Sequence, residues 1–166
     1  MITQHTRILE IGCNRGYLLD ALRSFSDRIY GIDIDTAVLQ RPVHHDCITC
    51  GCDAQDIAFA AESFDLVIAL HTIEHIPDLT KAIQEFSRIL KNKGTLMIVY
   101  PFEPIIGITC LPGISLSKKC NVHVHKLNPK LLLKVINTCN IALHVVDSWL
   151  YYGLLPNYIT VLEKRL

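Results

Sequence analysis

The residues best placed for chemistry begin at a glycine-bounded turn. The run Arg7 to Gly16 reads Arg-Ile-Leu-Glu-Ile-Gly-Cys-Asn-Arg-Gly. Ile8, Leu9 and Ile11 form a short apolar strand, and Gly16 opens a helix with an apolar face of Leu18, Leu19 and Leu22. Gly12 lets the backbone approach a ligand closely, and the free N–H groups at such a helix start attract polar or anionic atoms. A second strand from Arg28 ends on Asp33, about 20 residues after the turn, which is the spacing of a βαβ nucleotide site. A carboxylate there can accept both hydroxyls of a ribose. The competing use for Asp33 is to cap the next helix, and Asp35 is the better placed of the two for that.

Two ligand-rich strings suggest metals. His71-Thr72-Ile73-Glu74-His75 matches a zinc-protease string, but that chemistry needs both histidines on one face of a helix. Here the string follows a strand directly and Pro77 stands two residues on, so it reads as a strand-to-helix loop. The run His44 to Cys52 holds two histidines, an aspartate and three cysteines. Strand alternation sends Cys50 and Cys52 to the same side. No second Cys-x-x-Cys pair completes a structural site, and free cysteine is ordinary in cores. No metal is expected. Asp65, at the start of its strand, lies away from the ligand edge and reads as structural.

The elements that position these residues follow from periodicity and caps. Cys47–Cys52 reads as a third strand and Phe64–Leu70 as a fourth, after a helix begun by Asp35 and cut short by Pro42. Asp78 caps a helix whose stripe is Leu79, Ala82, Ile83, Phe86, Ile89 and Leu90, ended by Lys91-Asn92-Lys93-Gly94. Thr95–Tyr100 is a fifth strand. Asn128 and Pro129 start a helix bearing Leu131, Leu132, Val135 and Ile136; Ala142–Trp149 and Tyr158–Leu162 are two final strands. Alternating strands and helices predict an α/β fold with a parallel sheet and a terminal hairpin, in one domain over residues 1–166.

Four motifs in order carry a family resemblance: Glu10-Ile11-Gly12-Cys13-Asn14-Arg15-Gly16, Gly31-Ile32-Asp33, Asp53-Ala54-Gln55-Asp56 leading to Ser63-Phe64-Asp65, and Glu74-His75-Ile76-Pro77-Asp78. Over Arg7 to about Phe102 the chain resembles class I S-adenosylmethionine-dependent methyltransferases of the small-domain type 11 group. The resemblance implies a doubly wound, mostly parallel seven-stranded Rossmann-like sheet, helices on both faces and an antiparallel last strand. It implies S-adenosylmethionine as cofactor: the glycine loop (Glu10, Gly12, Cys13, Asn14, Gly16) facing its methionine part, Asp33 with Ile34 at the ribose, Asp53 and Ala54 at adenine, and Leu70 and His71 at the end of the fourth strand. Asn14 stands where the family usually has glycine; asparagine is the residue that best tolerates a left-handed backbone. Relatives generally carry helices before the first strand that cover the site. Here about six residues precede it, so little or no amino-terminal lid is expected.

Methyl transfer asks the protein mainly for alignment and exclusion of water. Where a base is used, histidine is the natural residue type. His71 is the first candidate, followed by His75, His123 and His125; each also has a plain structural use at a strand or helix end. The segments Phe102–Leu116, rich in isoleucine and leucine, and Cys120–Leu127 are the expected shields for the transferring methyl. A small-molecule acceptor of apolar character, and a homo-oligomer or partner subunit, fit that loop.

Lysine plus arginine equal aspartate plus glutamate at 16 each, with no basic run, so a nucleic-acid binder's footprint is absent. The stretch Leu96–Leu116 is broken by prolines, glycines and Glu103, which excludes a membrane-spanning helix. No signal-peptide core and seven cysteines without secretory context suggest the cytoplasm. A dinucleotide oxidoreductase would want glycines where Asn14 and Tyr17 stand. A non-catalytic protein of the same cofactor fold is the remaining alternative.

Overall fold

The computed structural model describes residues 2–43, 47–102, 123–152 and 156–165. The elements are β1 (Arg7–Ile11), α1 (Tyr17–Leu22), β2 (Arg28–Asp33), α2 (Thr36–Leu39), β3 (Ile48–Gly51), β4 (Phe64–Leu70), a 3-10 turn (Ile73–His75), α3 (Leu79–Ile89), β5 (Leu90–Pro101), α4 (Pro129–Thr138), β6 (Leu143–Tyr152) and β7 (Pro156–Lys164). The strands make one sheet in the order β3-β2-β1-β4-β5-β7-β6. β1 to β5 pair in parallel, and β7 runs antiparallel between β5 and β6. This is the doubly wound arrangement with a reversed last strand that the motifs imply.

Both faces of the sheet are covered by helices because β1 and β4 are apolar on both sides. Leu9, Ile11, Val67, Ala69, Leu96 and Ile98 pack under the buried stripe of α3 and under Leu132 and Ile136 of α4. On the opposite face Ile8, Leu66 and Ile68 meet Leu18 and Leu22 of α1. The two capping expectations hold in atomic detail. The Asp78 carboxylate accepts from Lys81 N at 3.0 Å, and Asn128 Oδ1 accepts from Leu131 N at 3.0 Å. Asn128→Ala should therefore cost about 1 kcal/mol of stability, read as a lower urea midpoint at unchanged m-value.

One boundary differs from the sequence reading. The helix α3 stops at Ile89, and β5 begins at Leu90 rather than at Thr95. Leu90, fully buried, pairs with Phe64, while Glu62 N and Ser63 N donate to the carbonyls of Arg88 and Ile89. These backbone bonds anchor the end of α3 to the β4 approach, and the Lys-Asn-Lys-Gly run makes the irregularity between the Phe64–Leu90 and Leu66–Thr95 pairs, with Lys93 taking a positive φ of 63°. β3 is shorter than read, and β6 and β7 are longer, since they pair with each other beyond Trp149 and Tyr158. Asp65 is structural: it accepts from Arg7 N at 2.8 Å and meets Lys91 Nζ at 2.7 Å. Burial alone would raise its pKa, but Lys91 and Arg7 outweigh that and hold it below the usual carboxylate range.

Candidate active site

The chain winds from β1 outward to β2 on one side and from β4 outward to β5 on the other, so the carboxyl ends of β1 and β4 flank a crevice. A cavity of about 340 Å³ opens there. Of the residues singled out from the sequence, Gly12, Asn14, Asp33, Ile34, Asp53, Ala54, His71 and His75 line it. Glu10, Cys13, Gly16, Leu70 and His123 are not on its wall.

The glycine loop is held by its own backbone. Gly12 N and Cys13 N both donate to the Ile32 carbonyl, at 2.8 and 2.9 Å, which ties the loop to β2. Gly12 (φ 71°), Asn14 (φ 48°) and Gly16 (φ 82°) all take left-handed backbone, so Asn14 does what a glycine would do at that position. The need for glycine at position 12 differs from the sequence reading. A Cβ there would collide with the Thr72 side chain, whose hydroxyl donates to the Ile11 carbonyl at 3.0 Å. The loop after β4 thus packs against the loop after β1, and glycine leaves room for protein as well as for ligand.

Asp33 is engaged at both oxygens: Asn14 N donates to Oδ2 at 2.8 Å and Asp35 N to Oδ1 at 2.9 Å. It clamps the glycine loop, while Asp35 caps α2 by accepting from Ala37 N at 2.9 Å. Each carboxylate oxygen retains acceptor capacity for a ligand hydroxyl. Asp53 accepts from Gln55 N at 2.8 Å and from Gln55 Nε2 at 3.1 Å. Gln55 Oε1 in turn accepts from Asp78 N at 2.9 Å, joining the loop after β3 to the start of α3. Thr72 and Gln55 are wall residues to which the sequence reading gave no role. For Gln55 the signal was its place in the third motif; for Thr72 there was none.

Beneath the loop lies Glu10, 4% exposed, its Oε2 without a hydrogen-bond partner among the described residues. Burial, reinforced by the Asp33 charge, pushes its pKa up to about 8 against the opposing bond from Leu19. The buried Cys13 thiol is pushed up to about 12 by burial and then by Glu10 and Asp33, which keeps it protonated and unreactive.

The histidines fall into two groups. His71, just past β4, has a positive φ of 49° and places Nδ1 3.6 Å from Glu74 Oε1. His75 packs its ring against that of His123, centroids 4.9 Å apart. His125 Nε2 lies 3.0 Å from the Pro77 carbonyl, its plain structural use. The His-x-x-Glu-His string spans a loop and a 3-10 turn and not an α-helix. Cys50 is exposed, and Cys52 Sγ lies in hydrogen-bonding range of the Asp53 and Asp56 carbonyls. His44 to Asp46, and the expected shields beyond Phe102 and at residues 120–122, lie outside the described residues.

This sheet order, with a crevice bounded by a left-handed glycine loop, an acid at the end of β2 and an Asp-Ala pair after β3, defines a class I cofactor-binding fold. A family model described as a methyltransferase domain, of type 11, matches residues 9–98, and the chain belongs to that family. A ubiquinone biosynthesis O-methyltransferase of Bradyrhizobium diazoefficiens is 28% identical over 97 residues, 55% of this chain and 38% of that protein. A "probable S-adenosylmethionine-dependent methyltransferase" of Mycobacterium tuberculosis is 29% identical over 108 residues, 64% of this chain and 38% of that protein. The matches thus span well under half of these relatives' own lengths. Among solved structures, a Haloferax volcanii methyltransferase in complex with the Trm112 methyltransferase activator shares the fold. Its TM-score is 0.83 at 18% identity, over 99% of this chain and 85% of that one. No helix among the described residues is long and apolar enough to cross a membrane.

Proposed function

We propose that the protein transfers a methyl group from S-adenosylmethionine to a small-molecule acceptor by in-line displacement. The observation that carries this reading is the crevice itself: Gly12, Asp33, Asp53 and Ala54, from three separate strand ends, converge on one cavity of about 340 Å³. Such a donor set suits a nucleoside with a charged tail. Asp33 would accept the ribose hydroxyls, Asp53 and Ala54 would bound the adenine, and the loop from Gly12 to Gly16 would face the methionine part. The cofactor when bound supplies a methyl on a sulfonium, a leaving group that departs neutral. The chain's own work is orientation and exclusion of water. His71, on the cavity wall and 3.6 Å from Glu74, is the residue proposed to take the acceptor's proton where one is lost.

The test is a thermal-shift titration with S-adenosylmethionine, its demethylated product and NAD. The first two should raise the melting temperature and NAD should not, because only a true ligand stabilises by mass action. Stabilisation by NAD alone overturns the reading. Asp33→Ala should weaken S-adenosylmethionine binding by about 1.5–3 kcal/mol, the usual worth of hydrogen bonds to a charged group. Calorimetric titration showing wild-type affinity would remove Asp33 from the ribose role.

A second reading, a subunit that works only with a partner, is favoured by the outer strand. Val146, Trp149, Tyr151 and Tyr152 of β6 are all exposed. The Haloferax neighbour, solved with an activator, supports it. Light scattering of the purified chain separates the two: an active monomer leaves no need for a partner.

A further inference from the structure

Glu74 is 1% exposed, and neither of its carboxylate oxygens has a hydrogen-bond partner among the described residues. A carboxylate so placed is costly unless a cation or donors meet it. Its backbone carbonyl, by contrast, accepts from Val124 N at 2.9 Å and His125 N at 3.1 Å, which docks the segment before α4 onto the 3-10 turn. That docking brings His123 to His75. One oxygen of Glu74, one ring nitrogen of His75 and one of His123 lie within 4.8 Å of one another.

We propose that Glu74, His75 and His123 hold one divalent transition-metal ion of the Zn²⁺ type. Two imidazole nitrogens and a carboxylate oxygen form a borderline donor set that suits Zn²⁺, whereas Mg²⁺ and Ca²⁺ select oxygen ligands. Zinc bonds of about 2.0–2.2 Å put tetrahedral ligand atoms roughly 3.4 Å apart, so side-chain shifts of about an ångström close the site. His71 Nδ1 stands 3.6 Å from Glu74 Oε1, beyond hydrogen-bond distance, and the ion would bind the carboxylate directly. The proposal departs from the sequence expectation of no metal and uses a different set from the literal string: His123, from a segment some 50 residues on, takes the place of His71. Three protein ligands leave one position open, and His75 also lines the cavity, so the ion sits beside whatever the cavity holds. Its use there, holding an acceptor oxygen, rests on the methyl-transfer reading; its binding does not.

The probe is Co²⁺, titrated into the full chain after chelation and dialysis, with Zn²⁺ as competitor. One equivalent should bind with visible ligand-field bands and no near-ultraviolet sulfur charge-transfer band, because the ligands are nitrogen and oxygen. Glu74→Gln and His123→Ala should each lower Co²⁺ affinity about 100-fold or more. No binding at micromolar Co²⁺, a thiolate band, or wild-type affinity in either variant overturns the site. Should a variant unfold, the wild-type protein decides: ring nitrogen resonances of two histidines must move on addition of Zn²⁺, and their staying in place overturns it. None of these readouts depends on S-adenosylmethionine, so failure of the metal site and failure of the methyl-transfer reading are separately visible.

Discussion

Gly12→Val should leave a chain that binds no S-adenosylmethionine and unfolds about 2–5 kcal/mol more easily than wild type. Two terms add. A β-branched residue at φ 71° costs about 1–2 kcal/mol of backbone strain, and crowding against Thr72 adds about 1–3 kcal/mol of overpacking. The terms separate in a cycle using the milder Gly12→Ala. Combining it with Thr72→Ala removes the atoms nearest the new Cβ and should restore the crowding share while leaving the backbone share lost. Urea unfolding reads the stability and calorimetric titration reads the cofactor. Wild-type cofactor affinity in Gly12→Val would show that the loop does not face the ligand.

The second large effect concerns Glu10 and pH. Its pKa rises from the usual 4.5 to about 8, chiefly through burial and then through the Asp33 charge. Below about pH 4.5 folded and unfolded chains both hold the proton, and the group adds no pH dependence. Between that point and pH 8 the unfolded chain releases the proton while the folded one keeps it. Stability then falls as pH rises, by at most about 1.4 kcal/mol per unit, and levels off above pH 8. Glutamine at this position cannot ionise. Glu10→Gln should match wild type near pH 4 and exceed it by up to about 5 kcal/mol at pH 8.5, the difference opening steadily in between. Paired denaturant titrations across that range check it. Parallel stability curves would mean that Glu10 ionises as readily in the folded chain as in the unfolded one.

What could be read from the sequence was local. Asp78 and Asn128 announce their helices because a cap bonds a backbone N–H only a few residues away. Asn14 announces its left-handed turn because that preference belongs to the residue itself. The stripe from Leu79 to Ile89 announces a buried face by spacing alone. What escaped was contact across the chain. Thr72 packs on Gly12 from 60 residues away, and nothing about a threonine after a strand reveals it. Asp33 looked like a choice between ribose and helix cap, and a third use, gripping the N–H of Asn14, needed the loop in place to be seen. The His-x-x-Glu-His string was legible as a loop rather than a helix, because it follows a strand directly and Pro77 stands close behind it. The approach of His123 to Glu74 and His75, from the far side of β5, was not legible.

The interleaving of β7 between β5 and β6 sets a timetable for synthesis on the ribosome. β1 to β5 can assemble as soon as they have emerged, but β6 lies at the edge of the sheet and pairs only with β7, which is made after it. A nascent chain stalled after Tyr152 would therefore carry a finished half-sheet with the open flank of β5, trailed by ten residues of β6 with nothing to join. Both flanks are templates for the wrong strand until residues 156–164 slot in and close two ladders at once. Residues 156–164 thus close the sheet on both of their edges, and a chain without β7 would leave β5 and β6 each with an open flank.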